Sequence, residues 1–389
     1  MLRYIAKPLL MIGLGMMPCA AQAEPGVLDD RIVFGESAAF SGPAEALGLG
    51  MREGILAAFN ETNKAGGVHG RKLTLISYDD GYEPDRAIAN TNRLIKNDKV
   101  FALIGEVGTP TSQAAQPIAT EARVPFIGPL TGAGFLRNPA LGNVVNVRAS
   151  YDQETETWIE RLTQDLDISR IAILYQNDGF GKAGLSGVEK AMDKRGLKLV
   201  AQGTYERNTV AVEAAVEAIV KGNPEAVVMV GAYKPCAAFI KQASASGLKA
   251  RFVNISFVGT NALAKELGND GNGVIVTQVV PFPEDTSIPL VAQYQKALRS
   301  DNPNAKFGFV SLEGYMVGQL VVQSLSKMNG PVTRDGLLAT IEKVGSFNLG
   351  GVTLSYGPND NQGMDRVFLT VIQSDGSIKP VEHLKTPAF

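Results

Sequence analysis

Thr109 and Thr131 carry the most suggestive chemistry in this chain. Each lies in a glycine-flanked turn of the stretch 104–131, IGEVGTPTSQAAQPIATEARVPFIGPLT. The pattern predicts a buried strand at 100–104, a Gly/Thr turn, a helix over 111–122, a short strand at 125–127 and a second turn. Strand–helix–strand at this spacing is a βαβ unit with parallel, adjacent strands. Both turns then leave the carboxyl ends of neighbouring strands, the edge where open parallel sheets bind small ligands. Gly108 and Thr109 meet a helix N-terminus, where a hydroxyl and free N–H groups favour an anion such as a carboxylate or phosphate. Thr131 and Gly132 offer further donors. The same residue types also serve as ordinary helix caps.

Other reactive patterns are weaker. Gly179-Phe180-Gly181-Lys182-Ala183-Gly184 satisfies G-x-G-x-x-G, yet Asn177 and Asp178 separate it from the strand end, whereas a dinucleotide fingerprint turns at once. No cofactor is therefore expected. The two histidines, His69 and His383, have no G-x-S-x-G or H-E-x-x-H motif to work with, so neither a catalytic residue nor a metal site is expected. Asp79-Asp80 reads as a loop-start cap, and Trp158 as a side chain packed on a helix face.

The elements that must position the threonines alternate along 389 residues, of which 45% are hydrophobic, enough for two or three domains. A first series comprises a strand at 32–39, a helix at 49–65, a strand at 72–78, a helix at 86–97 and the βαβ unit. A second follows from 153 to 255, with strands at 170–175, 198–205, 226–230 and 251–255. Helices over 153–165, 181–195, 210–221 and 235–246 alternate with them. A strand at 274–279, helices at 288–300, 312–328 and 334–344, and closing strands at 351–356 and 367–373 complete the chain. This β/α alternation marks two parallel sheets clad with helices. The fold class is α/β, with two doubly wound, Rossmann-like lobes.

Net charge is −2 with no block of like sign, which argues against nucleic-acid binding and a polybasic membrane anchor. Arg3 and Lys7, the apolar run 9–17 and Ala21-Gln22-Ala23 form a signal peptide over 1–23, cleaved after Ala23. Lipoprotein processing at Cys19 is a poorer match, because Pro18 precedes it. The mature chain would then be exported, with Cys236 as its one cysteine, read as a buried apolar side chain.

The sequence resembles the leucine/isoleucine/valine-binding family of periplasmic solute-binding proteins, receptors of ABC-type importers with the type I periplasmic binding fold. The resemblance rests on an ordered set running from about Arg31 to Gly376. It comprises Phe40-Ser41-Gly42-Pro43, the run 63–73 (NKAGGVHGRKL), Tyr78-Asp79-Asp80, Ile104-Gly105 with Thr109, and Gly128-Pro129-Leu130-Thr131. Further on come the run 170–174 (RIAIL) with Phe180-Gly181, and Gly231-Ala232-Tyr233. It implies two lobes joined by three hinge crossovers, near 148–151, 278–283 and 356–360. The lobes would be 28–148 plus 280–356 and 149–279 plus 357–389. It also implies a carboxylate held by Thr109 and the loop of Leu130, Thr131 and Gly132, with Phe180 and Tyr233 closing from the second lobe. Leu47 falls where the family often has a tyrosine.

One departure matters. The resemblance implies a second-lobe glutamate for a ligand ammonium, and the matching position is Ser256, followed by Phe257. A buried ammonium without an anion is costly, so either Glu106 on the ligand edge substitutes for it or the ligand has no ammonium. The expected function is capture of a small carboxylate-bearing organic solute in the periplasm, by a non-catalytic monomer that delivers it to an inner-membrane ABC permease. A ligand-sensing receptor of the same fold and an exported α/β hydrolase are the rivals.

Overall fold

Apolar runs too continuous for a half-exposed strand become the centres of two sheets. The computed structural model describes residues 24–384. The signal peptide and cleavage site expected at 1–23 lie outside the described residues. The chain begins β1 (Arg31–Ala38), α1 (Glu45–Lys64), β2 (Lys72–Asp79), α2 (Pro84–Lys96), β3 (Ala102–Ile104), α3 (Thr109–Glu121), β4 (Phe126–Ile127) and β5 (Val144–Val145). These five strands form one sheet in the order β2-β1-β3-β4-β5, every pair parallel.

α4 (Tyr151–Leu166) opens the second series with a capping box between Ser150 and Gln153. Then come β6 (Ile171–Gln176), α5 (Gly179–Asp193), β7 (Ala201–Tyr205), α6 (Glu213–Lys221), β8 (Ala226–Val230), α7 (Tyr233–Ala245), β9 (Arg251–Asn254), α8 (Thr260–Leu267) and β10 (Ile275–Gln278). The chain continues with α9 (Pro289–Asp301), α10 (Phe309–Ser326), α11 (Arg334–Val344), β11 (Ser346–Asn348), β12 (Thr353–Ser355), β13 (Phe368–Ile372) and β14 (Ile378–Val381). The second sheet runs β14-β13-β10-β9-β8-β6-β7.

Two expectations are corrected here. The second sheet is not parallel throughout, because β13 pairs antiparallel with β10 and β14 antiparallel with β13. β13 and β14 are joined by a short turn through Asp375 and Gly376, and so short a link permits only antiparallel pairing. The strand expected at 351–356 belongs to neither large sheet. It is β12, paired only with β11 in a small ribbon.

The chain passes between the sheets three times, after β5, after β10 and after β12. After the second passage, α10 lies along α1 on the first sheet. Glycine makes that crossing close: a Cβ on Gly54 would sit 1.9 Å from the Ser311 carbonyl oxygen, and one on Gly314 would sit 2.3 Å from that of Met51. In the first sheet β2 and β3 flank β1, and in the second β7 and β8 flank β6. These are the points where strand order reverses, and loops diverge there to leave a crevice.

Candidate functional site

The first lobe presents a helix end with no side-chain cap. α3 starts at Thr109, two residues before the expected start, because Pro110 suits the first helical turn. Its N-cap residue, Gly108, has φ 102°, and a Cβ there would lie 2.2 Å from the Tyr82 ring. Only glycine fits this position. The Thr109 hydroxyl shares a 2.7 Å hydrogen bond with the Thr131 hydroxyl, which donates to Tyr151 Oη at 3.3 Å and accepts from the Ala133 N–H at 3.2 Å. All three hydroxyl residues are buried. Three buried hydroxyls thus stand beside an uncapped helix N-terminus, groups whose partial positive charge suits an anion.

Arg137 holds the second turn in place. Its guanidinium donates to the carbonyls of Thr131 and Ala133 at 3.0 Å and of Arg148 at 3.2 Å, and to Gln362 Oε1 at 2.9 Å. Burial pulls its pKa down to about 9. The crossings themselves are tied together, since Asn146 pairs with Gln362 and the Tyr151 N–H donates to the Gly132 carbonyl.

Opposite the hydroxyls is an aromatic cluster drawn from both lobes. Phe180 and Phe257 have ring centroids 4.7 Å apart, Tyr151 and Phe180 5.5 Å, and Tyr82 and Phe257 5.9 Å. Phe180 sits on α5, whose N-cap Asp178 accepts from the Phe180 N–H at 2.9 Å. An acid thus occupies the place where a dinucleotide phosphate would lie. Phe257 follows β9 in a single 3₁₀ turn. Gln176, at the end of β6, donates to Tyr82 Oη at 3.3 Å and accepts from Tyr205 Oη at 3.1 Å.

A buried charged network adjoins this cluster. Glu154, on α4, accepts from the Ser256 N–H and Ser256 Oγ, each at 2.8 Å, and from Thr277 Oγ1 at 2.5 Å. Thr277 in turn accepts from the indole N–H of Trp158 at 3.1 Å, so Trp158 packs with a partner for its polar edge. Arg148 donates to Ser256 Oγ and lies 3.4 Å from Glu313 on α10 and 4.0 Å from Glu154. Burial, opposed by the Arg148 charge, pushes the Glu313 carboxyl up to about 7.

The structure brings Thr109, Leu130, Thr131 and Gly132 together, with Phe180, Ser256 and Phe257 around the same crevice. Tyr233 and Leu47, both buried, bring α1 of the first lobe against the second lobe. Tyr233 Oη accepts from the Ala46 N–H at 3.4 Å, and Leu47 lies against Gly259. The Glu106 carbonyl accepts from the Leu130 N–H, and its carboxyl lies near Glu36 and Asp80. Burial, then the charges of Asp80 and Glu36, raise its pKa well above the ordinary value. The acid that touches Ser256 is Glu154. Sequence reading missed Glu154, Tyr82, Tyr151 and Arg148, although the last two lie in the expected first crossing and Tyr82 follows a Gly turn at a strand's carboxyl end. Asp79 and Asp80 act as loop caps, accepting N–H groups from Phe40, Gly81 and Tyr82. Among the described residues no cluster of three or more His, Cys, Asp or Glu suits a metal ion. Cys236 is buried, and burial raises its thiol pKa.

Two α/β lobes meeting over a buried crevice of donors and rings define a small-solute receptor. Residues 32–377 match the family model described as periplasmic binding protein, and the chain belongs to that family. It is 38% identical to a possible leucine/isoleucine/valine-binding protein from Rhodopirellula baltica SH 1, with TM-score 0.87 over 93% of this chain and 98% of that one. It is 23% identical to the leucine-specific-binding protein of Salmonella typhimurium, over 87% of this chain and 89% of that protein. It is 24% identical to the leucine-, isoleucine-, valine-, threonine- and alanine-binding protein of Pseudomonas aeruginosa, over 80% and 82%. The fold is the type I periplasmic binding fold, and the chain is a solute-binding protein, not an enzyme. No helix among the described residues is long and apolar enough to cross a membrane.

Proposed function

We propose that this protein is the exported substrate-binding component of an ABC-type importer, capturing a small carboxylate with an apolar or aromatic body between its lobes. The observation that carries the reading is the pairing of two buried surfaces. The hydroxyls of Thr109, Thr131 and Tyr151 at the α3 N-terminus take the carboxylate. The rings of Tyr82, Phe180 and Phe257 take the body. Leu130 and Gly132 shape the anion loop, while Leu47 and Tyr233 join the two lobes beside it. Glu106 supports the loop through its carbonyl and carries no ligand charge. Relatives named for leucine binding have a comparable apolar solute.

Closure follows because ligand contacts made by both lobes exist only in the closed form. The monomer then offers its closed face to the permease. A thermal-shift screen of branched and aromatic acids, their amino and 2-oxo analogues and dicarboxylates tests the reading. A binder at one hundred times its dissociation constant adds about 2.7 kcal/mol of stability. Stabilisation by carboxylates with apolar bodies supports the reading, and a screen in which only carboxylate-free solutes stabilise defeats it.

A further inference from the structure

Arg148 is 1% exposed and under-used. A guanidinium has five N–H donors, and leaving them unpaired in a dry interior is costly. Here Nη2 donates to Ser256 Oγ and Nε faces Glu313 Oε1 in an ion pair at 3.4 Å, without meeting hydrogen-bond geometry, while Nη1 has neither a hydrogen bond nor an ion-pair partner among the described residues. Arg148 links both ends of the crevice. Three residues along the chain, Tyr151 contributes to the hydroxyl cluster, and Ser256 is followed by Phe257 of the ring cluster. Its charged neighbours come from both lobes: Glu313 at 3.4 Å, Glu154 at 4.0 Å, and Arg137, which donates to the Arg148 carbonyl.

Glu154 has little capacity to receive a ligand ammonium. Its carboxylate already accepts from the Ser256 N–H, Ser256 Oγ and Thr277 Oγ1. An ammonium at Ser256 would also face the Arg148 guanidinium, and like charges at close range repel. The free donors call for the opposite partner, an oxygen that accepts.

We infer that Arg148 determines specificity: its free Nη1 N–H groups bind an acceptor oxygen beside the solute's carboxylate, so the ligand is a 2-oxo acid or similar acid without an ammonium. This rests on the carboxylate reading above. The simpler alternative, in which Arg148 only balances Glu154 and Glu313, gives no discrimination among acids of one shape.

Two sets of probes of matched shape decide the matter by calorimetry. One is 4-methyl-2-oxopentanoate, 4-methylpentanoate and leucine; the other is phenylpyruvate, 3-phenylpropionate and phenylalanine. In at least one set, the oxo acid is expected to bind tenfold or more tighter than both partners. Arg148→Gln alone strands Glu313, so Arg148→Gln combined with Glu313→Gln is the working variant. In it the oxo and plain acids should bind within threefold of each other. The inference is overturned if the amino acid binds as tightly as the oxo acid, or if the folded double variant keeps the tenfold gap. If the double variant does not fold, the ligand order in the unaltered protein decides alone. If none of the six binds, by heat or by thermal shift, while another carboxylate does, this inference falls and the carboxylate reading stands; if only carboxylate-free solutes stabilise the protein, both fall.

Discussion

Replacing Thr109 by valine isolates the anion site. Valine keeps the side chain's shape and removes one hydroxyl that is 1% exposed and 2.7 Å from Thr131 Oγ1. In the ligand-free protein the loss is modest, because Thr131 keeps its bonds to Tyr151 Oη and the Ala133 N–H. One neutral hydrogen bond contributes about 1 kcal/mol of stability. With a carboxylate bound the missing donor faces a charge, and a hydrogen bond to a charged group is worth about 1.5–3 kcal/mol. At about 1.4 kcal/mol per factor of ten, the dissociation constant should rise roughly 10- to 150-fold. Calorimetry with the best acid from the screen measures that rise, and melting of the ligand-free variant measures the stability cost separately. A folded variant whose affinity changes less than twofold would remove Thr109 from the site and refute the reasoning.

Three further outcomes are expected. Burial raises Glu36 to about 8 from 4.5. Between those values the folded state keeps a proton that the unfolded chain releases, so this stability is full below about pH 4.5 and lost by about pH 8. Glu36→Gln should therefore raise the melting midpoint at alkaline pH and flatten its decline across that window; a decline as steep as in the parent protein would contradict it. Small-angle scattering should give a smaller radius of gyration with saturating acid, and an unchanged profile would speak against hinge closure. At the rim, Arg207 meets Glu83 at 2.8 Å and Asn208 donates to Glu83 at 2.6 Å, partly exposed contacts between the lobes. Arg207→Ala should speed ligand release with at most about a fivefold loss of affinity, since such pairs are worth about 0.2–1 kcal/mol. A loss of a hundredfold would mean the clasp does more than hold the lobes shut.

Much of the fold was legible because its signals are local. β6 and β8 are continuous apolar runs, and Gly108 with Pro110 announces the α3 N-terminus. Thr109, Thr131, Phe180 and Ser256 follow the carboxyl ends of β3, β4, β6 and β9, as the alternation of strands and helices implied. α8, short and flanked by Gly259 and Gly268, gave no clear periodic signal and was missed. The partners that cross between lobes were also invisible. Tyr82 meets Phe257 across 175 positions of sequence, and Arg148 meets Glu313 across 165, through packing that no local pattern encodes. That Glu106 would share its surroundings with the acids Glu36 and Asp80 was equally hidden, since Glu36 lies in β1 and Asp80 follows β2.

A crystal structure with the tightest-binding acid tests the central claim most directly. The carboxylate should lie against the hydroxyls of Thr109, Thr131 and Tyr151, with the body among Tyr82, Phe180 and Phe257. A second groove of about 660 Å³, also lined from both lobes, runs past Leu47, Gly259, Asn261 and Phe307. Ligand found in that groove, with no atom against Thr109, Thr131 or Tyr151, would contradict the account.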